Sequence, residues 1–352
     1  MARRYSPKDL QQFARALLRK AGLESAMARD VAQVLVEGDL LGKTTHGLAL
    51  LPSYLQNLVE GKMTPTGKPK VICQTATTLA LDADYRPGPF LVRRAIEWAT
   101  PRAKKHGVAT VTIQRCHHIA CLQVYLQDVT DHGLIILLMC SDPANAVVAP
   151  PGGVQGVFSP NPIGAGFPTT GAPILIDTTT SSLSNAQIAR LHRRGKKFPF
   201  AALQTAQGKL THDPAIMFAN PRGSILPLGG HDLGHKGFAL SLIVEALTNA
   251  LGGHGRAHKP KRWGASVFLQ IIDPKFFGGT KSFQRETGFF AQSCRRSKKK
   301  ISEKNIRLPG ENSLGLRKKQ LAKGIELHPE IIPALLPWAD RLGVPPPLAY
   351  KR

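Results

Sequence analysis

Between residues 78 and 140 the chain alternates between two hydrophobic periods. Segments 78–81, 108–113 and 134–140 are short and apolar, as strands are, and helical patterns at 89–106 and 119–132 separate them. A sheet must bury at least one face, and a helix between successive strands supplies the cover, so this alternation imposes an α/β layered fold. Segments 174–177 and 265–273 read as further strands, and 237–251 as a long apolar helix. The Pro- and Gly-rich stretch 150–168 reads as loop.

The first sixty residues have a different character. Ser6 and Pro7 form a helix start, the serine to cap free N–H groups and the proline to suit the first turn. Leu10, Phe13, Ala14, Leu17 and Leu18 then follow helical spacing until Gly22. Helices are expected over 25–38 and 50–61, and a terminal helix over 329–342.

At 352 residues the chain can bury a large core. The longest strongly apolar stretch, 134–140, is far too short to cross a bilayer. The five cysteines form no CxxC pair, and no Cys/His cluster has structural-zinc spacing. Together with an N-terminus that is charged and amphipathic, this gives the expectation of a cytoplasmic protein without metal. The net charge of +24 is unusual, and two runs, 192–197 and 295–300, carry much of it. Neither is interleaved with aromatics, so they read as solvated surface whose field draws anions rather than as a nucleic-acid module.

No GxGxxG follows the first strand and no GxxxxGK[ST] is present, so neither a Rossmann site nor a P-loop has support. Four histidines stand in dense polar or glycine-rich context: His46, His118, His231 and His235. An imidazole titrating near neutrality suits proton transfer to a carbonyl or from a hydroxyl. Taken singly, each reads more readily as a packing or surface histidine that satisfies a hydrogen bond.

The order of segments carries more. Asp39 to Tyr54, with Thr44-Thr45-His46-Gly47 at its centre, resembles D-x-R-G-x-x-S-H-G-V-x-R-L-P-x-Y. Arg115 to Ala120 resembles N-S-x-H-F-G, Ser141-Asp142-Pro143 resembles S-D-P, and Asn161-Pro162-Ile163 the end of G-T-N-P-L. Ile174 to Ser181 resembles I-L-D-M-A-T-S, and His235 to Leu240 resembles Y-K-G-Y-G-L. Leu308-Pro309-Gly310-Glu311 also matches. In this order, over about residues 6 to 345, the chain resembles the malate/L-lactate dehydrogenase family of 2-oxo acid reductases.

The resemblance implies a homodimeric α/β enzyme whose NAD- or NADP-binding domain, at 76–299, is not of Rossmann type, with a helical dimerisation and substrate domain from 1–75 and 300–352. It implies hydride transfer between the nicotinamide and a small 2-oxo, 2-hydroxy or cyclic imino acid. His46 and His118 would be catalytic. Ser141, Asn161, Asp177, Thr178, Thr179, His235, Lys236, Gly310 and Glu311 would meet the cofactor, and Lys43, Thr45 and Tyr54 the substrate carboxylate and its surroundings. Lys236, expected just before a helix, would add its charge to free N–H groups there.

Several positions depart from the pattern. Leu50 and Leu41 stand where the family has arginine, Lys43 where it has histidine, Thr45 for serine, Pro160 for threonine, Gln187 near a lysine and Ala120 for glycine. An arginine at position 50 would suit a substrate carboxylate through its planar fork, which leucine lacks. Two readings follow: an active enzyme with an altered substrate, or an impaired homologue that binds dinucleotide or a partner without turnover.

Overall fold

The computed structural model describes residues 3–300 and 305–350. The short strand β1 (Arg4–Tyr5) leads into α1 (Pro7–Lys20), α2 (Ser25–Leu40) and α3 (Leu51–Val59). The Ser6 hydroxyl caps α1 by accepting from the Asp9 N–H, and Leu10, Phe13, Ala14, Leu17 and Leu18 form its buried stripe, as their spacing predicts. Next come β2 (Lys70–Gln74), β3 (Thr78–Asp82), α4 (Gly88–His106) and β4 (Val108–Cys116). A 3-10 turn at Leu122–Tyr125 runs into the short α5 (Leu126–Thr130), followed by β5 (Ile135–Ser141), β6 (Pro162–Phe167), β7 (Ile174–Thr179) and α6 (Asn185–Arg193). Three two-residue strands, β8 (Leu203–Gln204), β9 (Leu210–Thr211) and β10 (Ser224–Ile225), precede α7 (Gly230–Glu245) and β11 (Ala265–Ile272). The remainder is α8 (Thr280–Arg296), α9 (Glu311–Lys323), β12 (Ile325–Glu326) and α10 (Ile331–Leu342).

Seven strands form one sheet in the order β2-β3-β4-β11-β5-β6-β7. β3 and β4 run parallel, with α4 as their crossover, and the other pairs are antiparallel. β11, late in the chain, lies between β4 and β5, and its nearly continuous apolar run is what a strand buried on both faces requires. A Rossmann site needs parallel strands on either side of a topological switch point, and this sheet is built otherwise. The main core runs without a break from α1–α3 through α4 and the sheet centre to α10. β12 pairs with β1 and α10 packs on α1 and α3, which brings the two ends of the chain together. A second, smaller core beneath β8–β10 holds Val147, Phe158, Leu183, Leu203 and Ile225.

Three elements differ from the sequence expectation. Part of the stretch expected as loop is the strand β6. Its Gly166 is not a turn signal: a Cβ there would lie 3.0–3.1 Å from Thr130, Ile136 and Leu126, so the glycine lets α5 pack on the strand. The helix expected over 119–132 begins only at Leu122, because Ala120 takes a left-handed conformation (φ 61°). The helix expected from 237 begins at Gly230, and its last turn, Ala246–Ala250, is π-helical.

Candidate active site

His46 sits on the turn that follows α2. Gly42 takes φ 76°, which lets the chain reverse, and the turn closes through Lys43 N–H to the Gly38 carbonyl and His46 N–H to the Lys43 carbonyl, both 2.8 Å. Gly47 must lack a side chain, because a Cβ there would overlap the Asp39 carboxylate. That carboxylate accepts the Leu48 N–H at 2.7 Å and so anchors the far end of the turn. Thr45 Oγ1 lies 2.8 Å from His46 Nδ1, which fixes the ring and leaves Nε2 for chemistry. From α6, Arg190 grips the middle of the turn by donating to Thr44 Oγ1 at 2.9 Å and to the Thr44 carbonyl at 2.8 Å.

His118 lies beyond the end of β4. The chain passes so close to the start of α4 that a Cβ on Gly88 would be 2.5 Å from the carbonyl oxygens of both His117 and His118. The left-handed turn at Ala120 directs its N–H back to His118 Nδ1 at 3.2 Å. A nitrogen that accepts an amide proton carries none itself, so His118 holds its proton on Nε2. Tyr54 Oη is 3.0 Å from that Nδ1 and from the His118 carbonyl oxygen. Trp263 stacks on the imidazole with centroids 4.8 Å apart and planes at 28°. The His46 and His118 rings are 6.0 Å apart.

Both imidazoles are held below their ordinary range. For His46 burial is the main cause, Lys43 and Arg190 push the same way, and Asp177 opposes. Burial drives His118 well down, and the neighbouring His46 and His117 add to it. His117 is pushed to about 3 by burial alone and packs as an aromatic, edge-on to Tyr54 at 5.1 Å and to Trp263 at 4.9 Å.

The third wall begins inside β7, at Asp177, and continues past the strand's end at Thr179. Asp177 Oδ2 accepts from the Gln123 N–H at 3.1 Å and from the Cys121 thiol at 3.3 Å. Thr178, Thr179, Ser181, Ser182, Ser184 and Asn185 continue along a cleft of about 510 Å³ that His46, His118, Lys43 and Thr45 also line. Asp142 lies in the same wall, its carboxyl pushed up to about 6 by burial against the pull of the Ala144 N–H and Arg256. Depressed imidazoles beside carboxylates, next to a run of hydroxyls and an amide, can move a proton and hold a polar, sugar-bearing ligand. That donor set and volume fit the nicotinamide end of a dinucleotide.

Of the residues singled out from the sequence, His46, His118, Lys43, Thr45, Asp177, Thr178 and Thr179 line this cleft. Tyr54 does not; it is fully enclosed behind His118. Ser141 and Asn161 are also fully enclosed. Their side chains bond to Glu245, at 2.7 and 2.9 Å, in a network that Asn249 and Arg256 complete. Although burial pushes the Glu245 carboxyl up, the Arg256 ion pair at 2.8 Å and these donors hold it below its usual range. His235 and Lys236 are exposed on α7 outside the cleft. Lys236 lies well inside that helix rather than before it, so the free N–H groups expected beside it are bonded within the helix. Gly310 caps α9 with φ 96°, packed against Leu175 at the outer end of β7. Glu311 pairs there with Arg295 and accepts the Leu308 N–H.

Arg190, Trp263, Asp142 and Cys121 were not among the site residues expected from sequence, although Asp142 belongs to the Ser141-Asp142-Pro143 motif. Arg190 belongs to a helix whose basic end reads as solvated surface, and its neighbours Arg193 and Arg194 do pair with Glu330 at the surface. Its position three residues after Gln187, one helical turn from a site-lining residue, is the signal that would have found it.

Fold and cleft together define an α/β enzyme whose cleft is lined by two histidines and a carboxylate. A profile of the malate/L-lactate dehydrogenase family matches residues 5–336. A malate dehydrogenase of Pyrococcus abyssi is 28% identical over 347 residues, covering 96% of this chain and 95% of that protein. Among solved structures, malate dehydrogenase from Entamoeba histolytica superposes with a TM-score of 0.90 at 25% identity, covering 99% of this chain and 100% of the other. The delta1-piperideine-2-carboxylate reductase of Pseudomonas syringae superposes with a TM-score of 0.83 at 25% identity, over 96% and 99% of the two chains. The chain belongs to the malate/L-lactate dehydrogenase family.

Proposed function

We propose that the protein is a nicotinamide-dependent oxidoreductase that interconverts small 2-oxo and 2-hydroxy acids, with His46 as the acid/base. The observation that carries this reading is the meeting of His46 and His118, 6.0 Å apart, in one cleft with Asp177. The malate dehydrogenases and the imine-reducing relative named above agree with it. When bound, the reduced cofactor, NADH or NADPH, supplies a hydride to C2 of the acid. His46 Nε2 then delivers the proton to the developing alkoxide, or takes it from the hydroxyl in the reverse direction. His118, with its proton on Nε2, is a neutral donor that orients the same oxygen. Asp177 offsets the positive charge on a protonated His46. Thr178, Thr179, Ser181 and Asn185 would hold the ribose and carboxamide, and the Glu245 network reaches the cleft through Ser159, which lines it and donates to Asn161.

The leucines and isoleucine exposed along α7, Leu233, Leu240 and Ile243, favour a homodimer, since a helix face of this kind is costly to leave in water. The test is an oxidation screen with NADH and NADPH against 2-oxo acids, alongside His46→Ala. Turnover with one cofactor, abolished in the variant while its melting curve is unchanged, is the expected result. Turnover that survives the substitution removes His46 from the mechanism.

A further inference from the structure

We infer that the cleft selects 2-oxo acids with one carboxylate and an apolar side chain over dicarboxylic ones; this deepens the reading above and rests on it. Lys43, His46 and Leu50 all come from the turn after α2 and its 3-10 extension, and all line the cleft. A substrate whose carbonyl oxygen meets His46 therefore lies in a cleft to which the same turn contributes one cation, Lys43, and one leucine, Leu50. Among the described residues lining the cleft, Lys43 is the one with a fixed positive charge. It forms no ion pair there and is close enough to His46 and Cys121 for its charge to lower both. Arg190, the next cation, has its guanidinium committed to Thr44.

One carboxylate is thus matched by one ammonium. A second would find Leu50 and the other apolar members of the wall, Leu122, Pro160, Leu228 and Trp263, and would face Asp142 and Asp177. Desolvating an unpaired anion there is unfavourable, and two carboxylates make it more so. An alkyl group instead loses water against leucine and proline. The reaction balances as 2-oxo acid plus reduced nicotinamide plus one proton giving 2-hydroxy acid plus oxidised nicotinamide, whatever the side chain.

The test compares kcat/KM for pyruvate, 2-oxobutyrate and 4-methyl-2-oxopentanoate with that for oxaloacetate and 2-oxoglutarate, in the wild type and in Leu50→Arg. The wild type is expected to favour the best apolar monoacid over oxaloacetate at least tenfold. Leu50→Arg is expected to narrow or invert that ratio by raising KM for the alkyl acids and lowering it for oxaloacetate. Equal or better use of oxaloacetate by the wild type overturns the inference and leaves the dehydrogenase reading standing. A ratio that Leu50→Arg does not move, in a protein that still folds and turns over, overturns the role of Leu50 and with it the inference. Reduction of no acid in the panel with either cofactor sinks the dehydrogenase reading and this inference together.

Discussion

The Tyr54 hydroxyl is 3.0 Å from the Nδ1 of His118 and 3.0 Å from that residue's own carbonyl oxygen, while Tyr54 itself is buried out of reach of any substrate. The single phenol proton goes to one of these two acceptors, and with either the hydroxyl holds the segment that carries a cleft residue, which makes Tyr54 a positioning residue. Burial pushes its own ionisation well above the ordinary phenol range, so it stays a neutral donor at every working pH.

Tyr54→Phe keeps the ring that packs on His117 and Trp263 and deletes only the hydroxyl. The lost bond should cost about 1 kcal/mol of stability. Turnover should fall on the order of tenfold as His118 loosens, with KM for the 2-oxo acid nearly unchanged, because Tyr54 touches no ligand. Steady-state kinetics beside a urea melt would separate the two effects, and an unaltered kcat would remove Tyr54 from the mechanism.

The depressed range of His46 sets the pH dependence. Oxidation of a hydroxy acid needs the neutral imidazole, so log kcat/KM should rise with pH and level off with an apparent pKa below 6.5. Reduction needs the protonated form and should weaken as pH climbs through the same value. Arg190 is one of the charges that lower this pKa, so Arg190→Ala should move both limbs to higher pH. The same substitution frees Thr44 and should also raise KM. A pH profile that Arg190→Ala leaves in place would show that Arg190 acts only as a clamp on the turn.

Gly88→Ala tests the close approach of α4 to the His117–His118 segment. The added methyl would lie 2.5 Å from two carbonyl oxygens that belong to main chain and cannot swing aside. A destabilisation of roughly 1–3 kcal/mol is expected, as for overpacking elsewhere, with a large loss of activity because the displaced segment carries His118. Gly315→Ala, inside α9 with no atom within 4 Å of its added Cβ, is the control and should be neutral or slightly stabilising. Thermal denaturation of the two variants side by side distinguishes them. Similar melting temperatures would mean that the His118 segment has room to shift.

Local chemistry was legible in the sequence where one short block builds one piece of the site. The turn that carries Lys43, Thr45 and His46 depends on Gly42, Gly47 and Asp39, all within nine residues. The run of Ile and Leu before Asp177 gives the strand but not its end: β7 continues to Thr179, and Asp177 lies inside it, paired with Gly164. Relationships between distant segments were not legible. The place of β11 between β4 and β5, the stacking of Trp263 on His118 and the grip of Arg190 on Thr44 join residues far apart in the chain, and no spacing rule encodes them. Tyr54 shows the intermediate case. Leu51, Tyr54, Leu55 and Leu58 follow helical spacing, and that stripe is the buried face of α3, so its enclosure could have been read from periodicity while the motif suggested a substrate contact. Ser141 and Asn161 were recognised by motif, but their role depends on Glu245, a hundred residues further for the one and over eighty for the other, whose carboxylate they satisfy.

Asp39 couples this turn to folding stability. Its carboxyl is fully buried, and burial lifts it from 3.8 to about 7 even though the Leu48 N–H and the charge on Arg190 pull it down. Because the folded value lies above the unfolded one, the folded state holds a proton that the unfolded state releases between those two limits. The associated stability is complete below about pH 4 and is lost as pH rises through about 7. Asp39→Asn can keep the Leu48 bond through its amide oxygen and has no proton to lose. The difference in unfolding free energy, Asp39→Asn minus wild type, should therefore grow more positive from pH 4 to pH 8. The full span would be on the order of 4 kcal/mol if nothing relaxed, and roughly half of that is a realistic expectation given the freedom of the turn to adjust. Taking the difference cancels every other titrating group that the substitution leaves alone. Urea melts of both proteins at pH 4, 6 and 8 measure it, and a difference that stays flat or shrinks across that range would mean that Asp39 is already ionised, and paired, in the folded protein.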